Sequence, residues 1–216
     1  QPENILTMYF KTGDQSCYKA IYQHGFQPFL RSEVLAVLET GTGTSNAIFH
    51  DYFEWLYQWE ARVAAYQTLS LEKWDGYAWI GFYKALKEQL GEGNWGYVPN
   101  QSGGFLGFWC GFEDILHIQL VDNQELRFRI DVPEASRRAA LRRHWHHKIV
   151  THSEAFGFET KKPTRFGHGH SMVVAILNSE DYRQAVHNGQ LDMQATVDVI
   201  RRAIALVKSV TSEASE

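Results

Sequence analysis

The sequence has 216 residues but only two cysteines, Cys17 and Cys110. Two cysteines are too few for a disulfide framework, so we expect a reducing compartment. The sequence also lacks any run of about 18 apolar residues, so we predict no transmembrane helix. Its first residues have neither the basic region nor the apolar run of a signal peptide. We therefore predict a cytoplasmic protein that has no membrane partner.

Charge of either sign is nearly balanced, with 21 Lys and Arg against 25 Asp and Glu and a formal net charge of -4. This balance argues against a uniformly basic nucleic-acid-binding protein but allows a local basic patch. Hydrophobic residues make up 44% of the chain and aromatic residues 14%. That composition excludes intrinsic disorder for most of the chain and is sufficient for a packed core.

The periodicity of apolar residues predicts an α+β fold, in which a mostly antiparallel sheet packs with amphipathic helices. Predicted strands cover residues 5–10, 105–112, 115–121, 126–132 and, as a central strand, 171–177. Predicted helices cover residues 18–25, 33–39 with Ser32 as N-cap, 48–66, 77–90 with Gly91 as C-cap, 134–150, and one or two within 181–210. Residues 41–45 are the best linker candidate, and residues 93–104 are predicted to form a loop.

A basic run is the strongest indication of a binding site. Five cations occur within twelve residues that contain no acid: Arg137, Arg138, Arg142, Arg143 and Lys148. Guanidinium groups match phosphate geometry and give salt-sensitive binding. The sequence therefore predicts phosphate or nucleic-acid contact here, with an ordinary solvated helix face as the alternative. On the first interpretation, replacing Arg142 and Arg143 by Glu weakens duplex binding.

Aromatic residues are a second candidate for nucleic-acid contact, because bases stack on exposed rings. Rings at helical spacing, as in residues 48–66, more often belong to a core. Trp95 and Tyr97, on the predicted Gly-rich loop, are the best exceptions, and we predict that they contact nucleic acid.

Six histidines lie between residues 144 and 170, a density that raises the possibility of a metal site: His144, His146, His147, His152, His168 and His170. No cysteine lies nearby, and Glu154 and Glu159 are the carboxylates between the two groups, so we predict no metal site. Magnesium-dependent cleavage needs carboxylates beside a lysine. The one Glu-x-Lys, Glu159 to Lys161, lies in a stretch without a strand pattern, so we predict no catalytic residue in this chain.

Several motifs resemble certain bacterial PD-(D/E)XK superfamily nucleases. They are Tyr9-Phe-Lys-Thr-Gly-Asp-Gln-Ser16 with Tyr18, Gly25-Phe26, Pro28-Phe-Leu-Arg31, Trp79-Ile-Gly-Phe-Tyr83, Asn94-Trp-Gly-Tyr-Val-Pro99, Gly103-Gly-Phe-Leu-Gly-Phe-Trp109, and Asn188-Gly-Gln-Leu-Asp192 with Thr196. In that family the first motif follows the catalytic Glu-x-Lys strand and the next helix. The resemblance implies that residues 1–40 are the end of a nuclease core, with its last strand at 5–10, and that residues 41–216 form a C-terminal α+β domain.

The leading hypothesis is therefore the C-terminal part of a magnesium-dependent DNA nuclease acting in bacterial defence. This part contributes DNA binding and scaffold, whereas the catalytic motif is expected before Gln1 or on a partner chain. The sequence begins with Gln rather than Met and opens directly into a predicted strand. No cofactor is expected in this chain, although the intact family member uses magnesium. The alternatives are a stand-alone, non-catalytic module that binds a protein partner through exposed aromatics, and a zinc enzyme that uses the histidines.

Overall fold

The computed structural model describes residues 8–9, 27–28, 30–99, 103–112, 115–121, 125–186 and 188–212. The chain divides into two compact units, Gln1–Arg62 and Val63–Glu216. This division lies further along the chain than the boundary expected after residue 40. The assignment of residues 1–40 to a nuclease core stays a prediction.

In the first unit, a short parallel pair of strands is followed by two helices. Strand β1 (Met8–Tyr9) pairs with β2 (Gln27–Pro28). Of the predicted strand at 5–10, only Met8 and Tyr9 are described, and the predicted helix at 18–25 lies outside the described residues. Helix α1 (Arg31–Glu39) begins earlier than predicted, and Leu30 rather than Ser32 is its N-cap. The Leu30 N–H donates to the Glu33 carboxylate at 2.7 Å, which satisfies a backbone donor that the helix leaves unpaired.

Helix α2 (Ala47–Ala64) confirms the predicted long amphipathic helix, and its last two residues belong to the second unit. A 3₁₀ turn (Ala65–Gln67) follows it. Helix α3 (Gly76–Leu90) also confirms its prediction. The Asp75 carboxylate accepts the N–H groups of Tyr77 and Ala78 at its start, and Gly91 adopts a left-handed conformation at its end.

Five antiparallel strands form the sheet of the second unit, in the order β3-β4-β5-β6-β7. Their bounds are β3 (Asn94–Val98), β4 (Phe105–Phe112), β5 (Leu116–Val121), β6 (Leu126–Asp131) and β7 (Ser171–Leu177). The α+β class with an antiparallel sheet is therefore confirmed. The prediction of a loop at residues 93–104 is wrong for residues 94–98, because Trp95 and Tyr97 lie opposite Phe108 and Leu106 when β3 pairs with β4.

The prediction that residues 171–177 form a central strand is also wrong, because β7 lies at the edge of the sheet. The strand is nevertheless apolar, because a helix and a neighbouring backbone segment cover its unpaired edge. The Nδ1 atom of His146 lies 2.7 Å from the Val174 carbonyl oxygen, and Lys161 and Ile176 exchange two backbone hydrogen bonds. A covered edge cannot pair with another chain.

Three further helices complete the second unit: α4 (Arg138–Ser153), the single-turn α5 (Ser179–Tyr182) and α6 (Met193–Ser212). The predicted apolar stripe of α6 is buried, for example at Val197, Ile200 and Val207. It packs with α3 and with Trp145 and Ile149 of α4 in one core. None of the helices in the described residues is long and apolar enough to cross a membrane.

Candidate nucleic-acid interface

Two basic segments, helix α4 and the loop of residues 161–170, are held together by arginines of α4. Arg138 donates to the carbonyl oxygens of Val132 and Pro133 at 2.9 and 2.8 Å, and to that of His168 at 3.4 Å. One turn further along α4, Nη1 of Arg142 donates to the Gly167 carbonyl oxygen at 2.5 Å. Hydrogen bonds from a charged donor are stronger than neutral ones, so they hold residues 161–170 against α4.

The ring of Phe166 is the centre of this attachment. The guanidinium of Arg142 and the ammonium of Lys162 each lie 5.0 Å from the ring centroid. The His146 ring meets it edge-on, with centroids 5.4 Å apart. Cations within about 6 Å of an aromatic ring are attracted by its electron-rich face. The loop is therefore fixed by its aromatic residue, while its charged residues face away from the core.

Charge is distributed very unevenly along the chain. Residues 135–178 contain eight Lys and Arg, six His and two carboxylates, whereas the remaining residues contain thirteen Lys and Arg and 23 Asp and Glu. Sequence reasoning found the basic run on α4 but missed the cations of the following loop. The exposed cations of the two segments define the basic surface: Arg137, Arg143, Lys161, Lys162 and Arg165.

The five basic residues predicted to bind nucleic acid divide into two groups. Arg138 and Arg142 hold the loop as described above, and Lys148 donates to the Val210 carbonyl oxygen at 3.2 Å near the end of α6. In contrast, the Arg137 side chain is 63% exposed and 3.8 Å from Glu134. Arg143 is exposed and, within the described part of the chain, forms no hydrogen bond or ion pair. Arg137 and Arg143 are therefore the members best placed to meet a ligand.

Trp95 and Tyr97 lie on β3 and not on a loop. Trp95 is half-buried against the core, whereas Tyr97 is 63% exposed and donates its hydroxyl to the Gly103 carbonyl oxygen. Strand β3 is at one edge of the sheet and β7, against which α4 packs, is at the other. Four strand spacings separate these edges by about 19 Å. The structure thus does not bring the two predicted sets of nucleic-acid contacts together.

The histidines are dispersed rather than gathered. Among the described residues, no group of three or more His, Cys, Asp or Glu side chains could hold a metal ion. His146 and His152 lie against backbone carbonyl oxygens of Val174 and Lys148, at 2.7 and 2.8 Å. The other four are exposed: His144, His147, His168 and His170.

No family model, no curated protein and no solved structure matches this chain.

Proposed function

We propose that this chain binds DNA as the C-terminal part of a PD-(D/E)XK-like nuclease, contributing binding and scaffold rather than catalytic residues. The observation that supports this most directly is the joining of two basic segments into the basic surface. Arg142 links them through Gly167 and Phe166, so the exposed cations on either side act on one ligand.

A polyanion suits this surface better than a single small anion does. Duplex DNA has a phosphate charge every ~1.7 Å of its axis, and each neutralised phosphate releases condensed counterions. Cations spread over a helix and an adjoining loop meet several phosphates at once. The rest of the chain, in which acids exceed bases, repels the same polyanion. This asymmetry directs DNA to residues 135–178.

The described residues do not fit the magnesium site that the family resemblance implies. The Glu-x-Lys at Glu159 and Lys161 lies on no extended catalytic strand, because Lys161 forms an isolated bridge with Ile176. Among the described residues no group of three or more acidic, His or Cys side chains could hold an ion. The proposal therefore assigns no cleavage step to them.

The test is the double charge reversal Arg137→Glu/Arg143→Glu, with duplex binding measured by fluorescence anisotropy across a salt series. These residues avoid the arginines that hold the loop, so the fold is retained. We expect at least tenfold weaker binding, and a slope of log affinity against log salt that is shallower by about 1.8, since each phosphate contact contributes about 0.9.

The matched control is Lys73→Glu/Lys87→Glu, which makes the same change in net charge at two exposed lysines outside residues 135–178. Equal weakening by both pairs would show a net-charge effect and would remove the basic surface from the proposal. Wild-type protein without any salt-dependent DNA affinity would contradict the proposal altogether.

That last outcome would favour the alternative, a non-catalytic module that binds a protein partner. A specific observation supports it. Helix α2 exposes large apolar side chains, with Ile48 80% and Trp55 52% exposed. The rings of Tyr52 and Trp55 stack with centroids 5.9 Å apart. Exposed apolar patches of this kind are typical of protein-binding surfaces.

A further inference from the structure

The sheet of the second unit has two chemically different faces. Helices α3, α4 and α6 pack their buried side chains against the face that carries Phe108, Ile118 and Phe128. The opposite face, called here the outer face, carries the alternate residues of β4, β5 and β6. Their side chains are Phe105, Trp109, His117, Gln119, Val121, Arg127, Arg129 and Asp131. The alternation of apolar and charged residues on β6 is visible in the sequence, where it predicts only a solvated face.

One half of the outer face carries two arginines, Arg127 and Arg129. The Arg129 guanidinium donates to the Gln119 side-chain oxygen at 2.6 Å and to the Ser171 hydroxyl oxygen at 2.9 and 3.2 Å. Both acceptors are neutral, so they orient the guanidinium without cancelling its charge. Arg127 lies two residues away on the same face, and His117 lies opposite Arg129 across the strand pair. A guanidinium oriented by neutral acceptors presents its N–H groups in the fork geometry that matches a phosphate.

The electrostatics agree with this geometry. Burial, and then the charge of Arg127, lower the pKa of Arg129 from its ordinary value, while Asp131 acts in the opposite direction. The carboxylates nearby have other partners, since Glu125 pairs with Arg127 at 3.1 Å and Asp131 lies 3.6 Å from His117. A bound anion next to Arg129 would relieve the cost of its partly buried charge.

The other half of the outer face is aromatic. Gly96 and Gly107 are directly paired between β3 and β4, so neither places a side chain there. The space above them is taken by neighbouring rings. A Cβ on Gly107 would lie 3.1 Å from the Phe105 ring, and a Cβ on Gly96 would lie 3.6 Å from the Trp109 ring. Each ring therefore lies beside a glycine of the sheet, and both rings are half-buried.

The two halves are adjacent. Gln119 is the direct cross-strand neighbour of Trp109 on one side and of Arg127 on the other. It is 7% exposed and accepts the hydrogen bond from Arg129. In addition, Ser171 directly follows His170, the last residue of the loop on α4. The basic surface and the outer face thus meet at this point of the chain.

We propose that the outer face binds a single strand of nucleic acid, with bases stacked on Trp109 and Phe105 and phosphates held by Arg129 and Arg127. This inference rests on the proposed DNA-binding function and specifies that the basic surface takes duplex and the outer face takes an unpaired strand. Single-strand sites combine a cationic track with aromatic platforms. Within a duplex the bases are already stacked on each other, so a flat ring on a sheet discriminates between the two forms.

The experiment compares binding of a fluorescent oligothymidylate and of a duplex by the full chain and its variants. Trp109→Leu removes the platform, and Trp109→Phe is the matched control that retains a ring. We expect roughly tenfold weaker single-strand binding for Trp109→Leu, less than twofold for Trp109→Phe, and unchanged duplex binding for both. Arg127→Gln/Arg129→Gln should make the single-strand salt slope shallower by about 1.4, because each single-strand contact contributes about 0.7.

Thermal unfolding and near-ultraviolet circular dichroism check that each variant is folded, and if Trp109→Leu is not, the arginine pair decides. Wild-type single-strand affinity in folded Trp109→Leu or in folded Arg127→Gln/Arg129→Gln would overturn the inference. If Arg137→Glu/Arg143→Glu still weakens duplex binding in that case, the proposed function survives alone. The outer-face variants could bind the single strand weakly while Arg137→Glu/Arg143→Glu binds duplex as the wild type does. In that case the inference stands, and the assignment of duplex binding to the basic surface is wrong. Absence of all nucleic-acid binding would overturn both.

Discussion

The Arg142 guanidinium stacks on the Phe166 ring at 5.0 Å from its centroid and also donates to the carbonyl oxygen of the next residue, Gly167. One side chain of α4 thus makes two attachments to a loop that begins eight residues after the helix ends, at Lys161. Arg142 therefore contacts both an aromatic side chain and a backbone carbonyl group of the loop.

We predict that Arg142→Ala releases the loop from α4. Loss of a charge-assisted hydrogen bond and a cation–π contact should lower the free energy of unfolding by about 1–3 kcal/mol. Amide hydrogen exchange within residues 163–170 should accelerate. The control is Arg143→Ala, one residue along the same helix, which should leave both quantities unchanged. Identical exchange in the two variants would show that Arg142 does not hold the loop.

Helices with a clear 3.6-residue period could be predicted closely from the sequence. The stripe of α6 and the Gly91 cap of α3 are examples, because their signals are local. The strand at Trp95 and Tyr97 was missed since its glycine and asparagine content is typical of loops. In the structure the glycine of that strand, Gly96, pairs directly with Gly107 of β4, a tertiary relationship that local composition does not show.

The candidate site was predicted only in part. A run of basic residues is visible in the sequence. Which of them hold the loop and which stay exposed depends on the carbonyl oxygens that lie nearby in the fold. Arg138 and Arg142 meet backbone of residues 132–133 and 167–168, whereas Arg143, on the same helix, does not. Likewise, Arg129 and Ser171 form a hydrogen bond although they are 42 positions apart in the sequence. The periodicity of apolar residues cannot predict such a contact.

Gly81, at the centre of the motif from Trp79 to Tyr83, provides a second prediction. A Cβ at Gly81 would lie 1.9 Å from the Val63 carbonyl oxygen and 2.7 Å from the Tyr66 ring. Gly81→Ala should therefore push α3 away from the backbone at Val63 and cost about 3 kcal/mol or more, measured by urea unfolding. Gly91→Ala meets no atom within 4 Å but has φ +71°, so about 1 kcal/mol is expected. A smaller loss at Gly81 than at Gly91 would refute this packing account.

Cys110 is a third case, because it is a free thiol in the core. Burial raises its pKa to about 12, with a further contribution from the Glu92 carboxylate. The reactive species is the thiolate, so native Cys110 should resist iodoacetamide at neutral or mildly alkaline pH and react once the chain unfolds. A Cys17→Ser background makes Cys110 the sole thiol, and mass spectrometry reads its alkylation with and without urea. Rapid labelling of the folded protein would disprove a closed environment around Cys110.

His117 provides a pH-dependent prediction. Burial lowers its pKa below the ordinary 6.5, Arg129 acts in the same direction, and Asp131 opposes them. The folded state therefore favours neutral His117, while the unfolded state takes up a proton near pH 6.5. Because the unfolded state then binds more protons, the stabilising effect is complete above that pH and is lost as the pH falls through the lower, folded-state pKa.

The free energy of unfolding should accordingly decrease as the pH falls below about 6.5, by at most about 1.4 kcal/mol per pH unit from this one group. His117→Gln should flatten the curve in that window, whereas His147→Gln, at an exposed position on α4, should leave it as in the wild type. Urea unfolding at a series of pH values measures both. A wild-type slope that persists in His117→Gln would mean that another group governs the loss, and that burial does not keep His117 neutral in the folded protein.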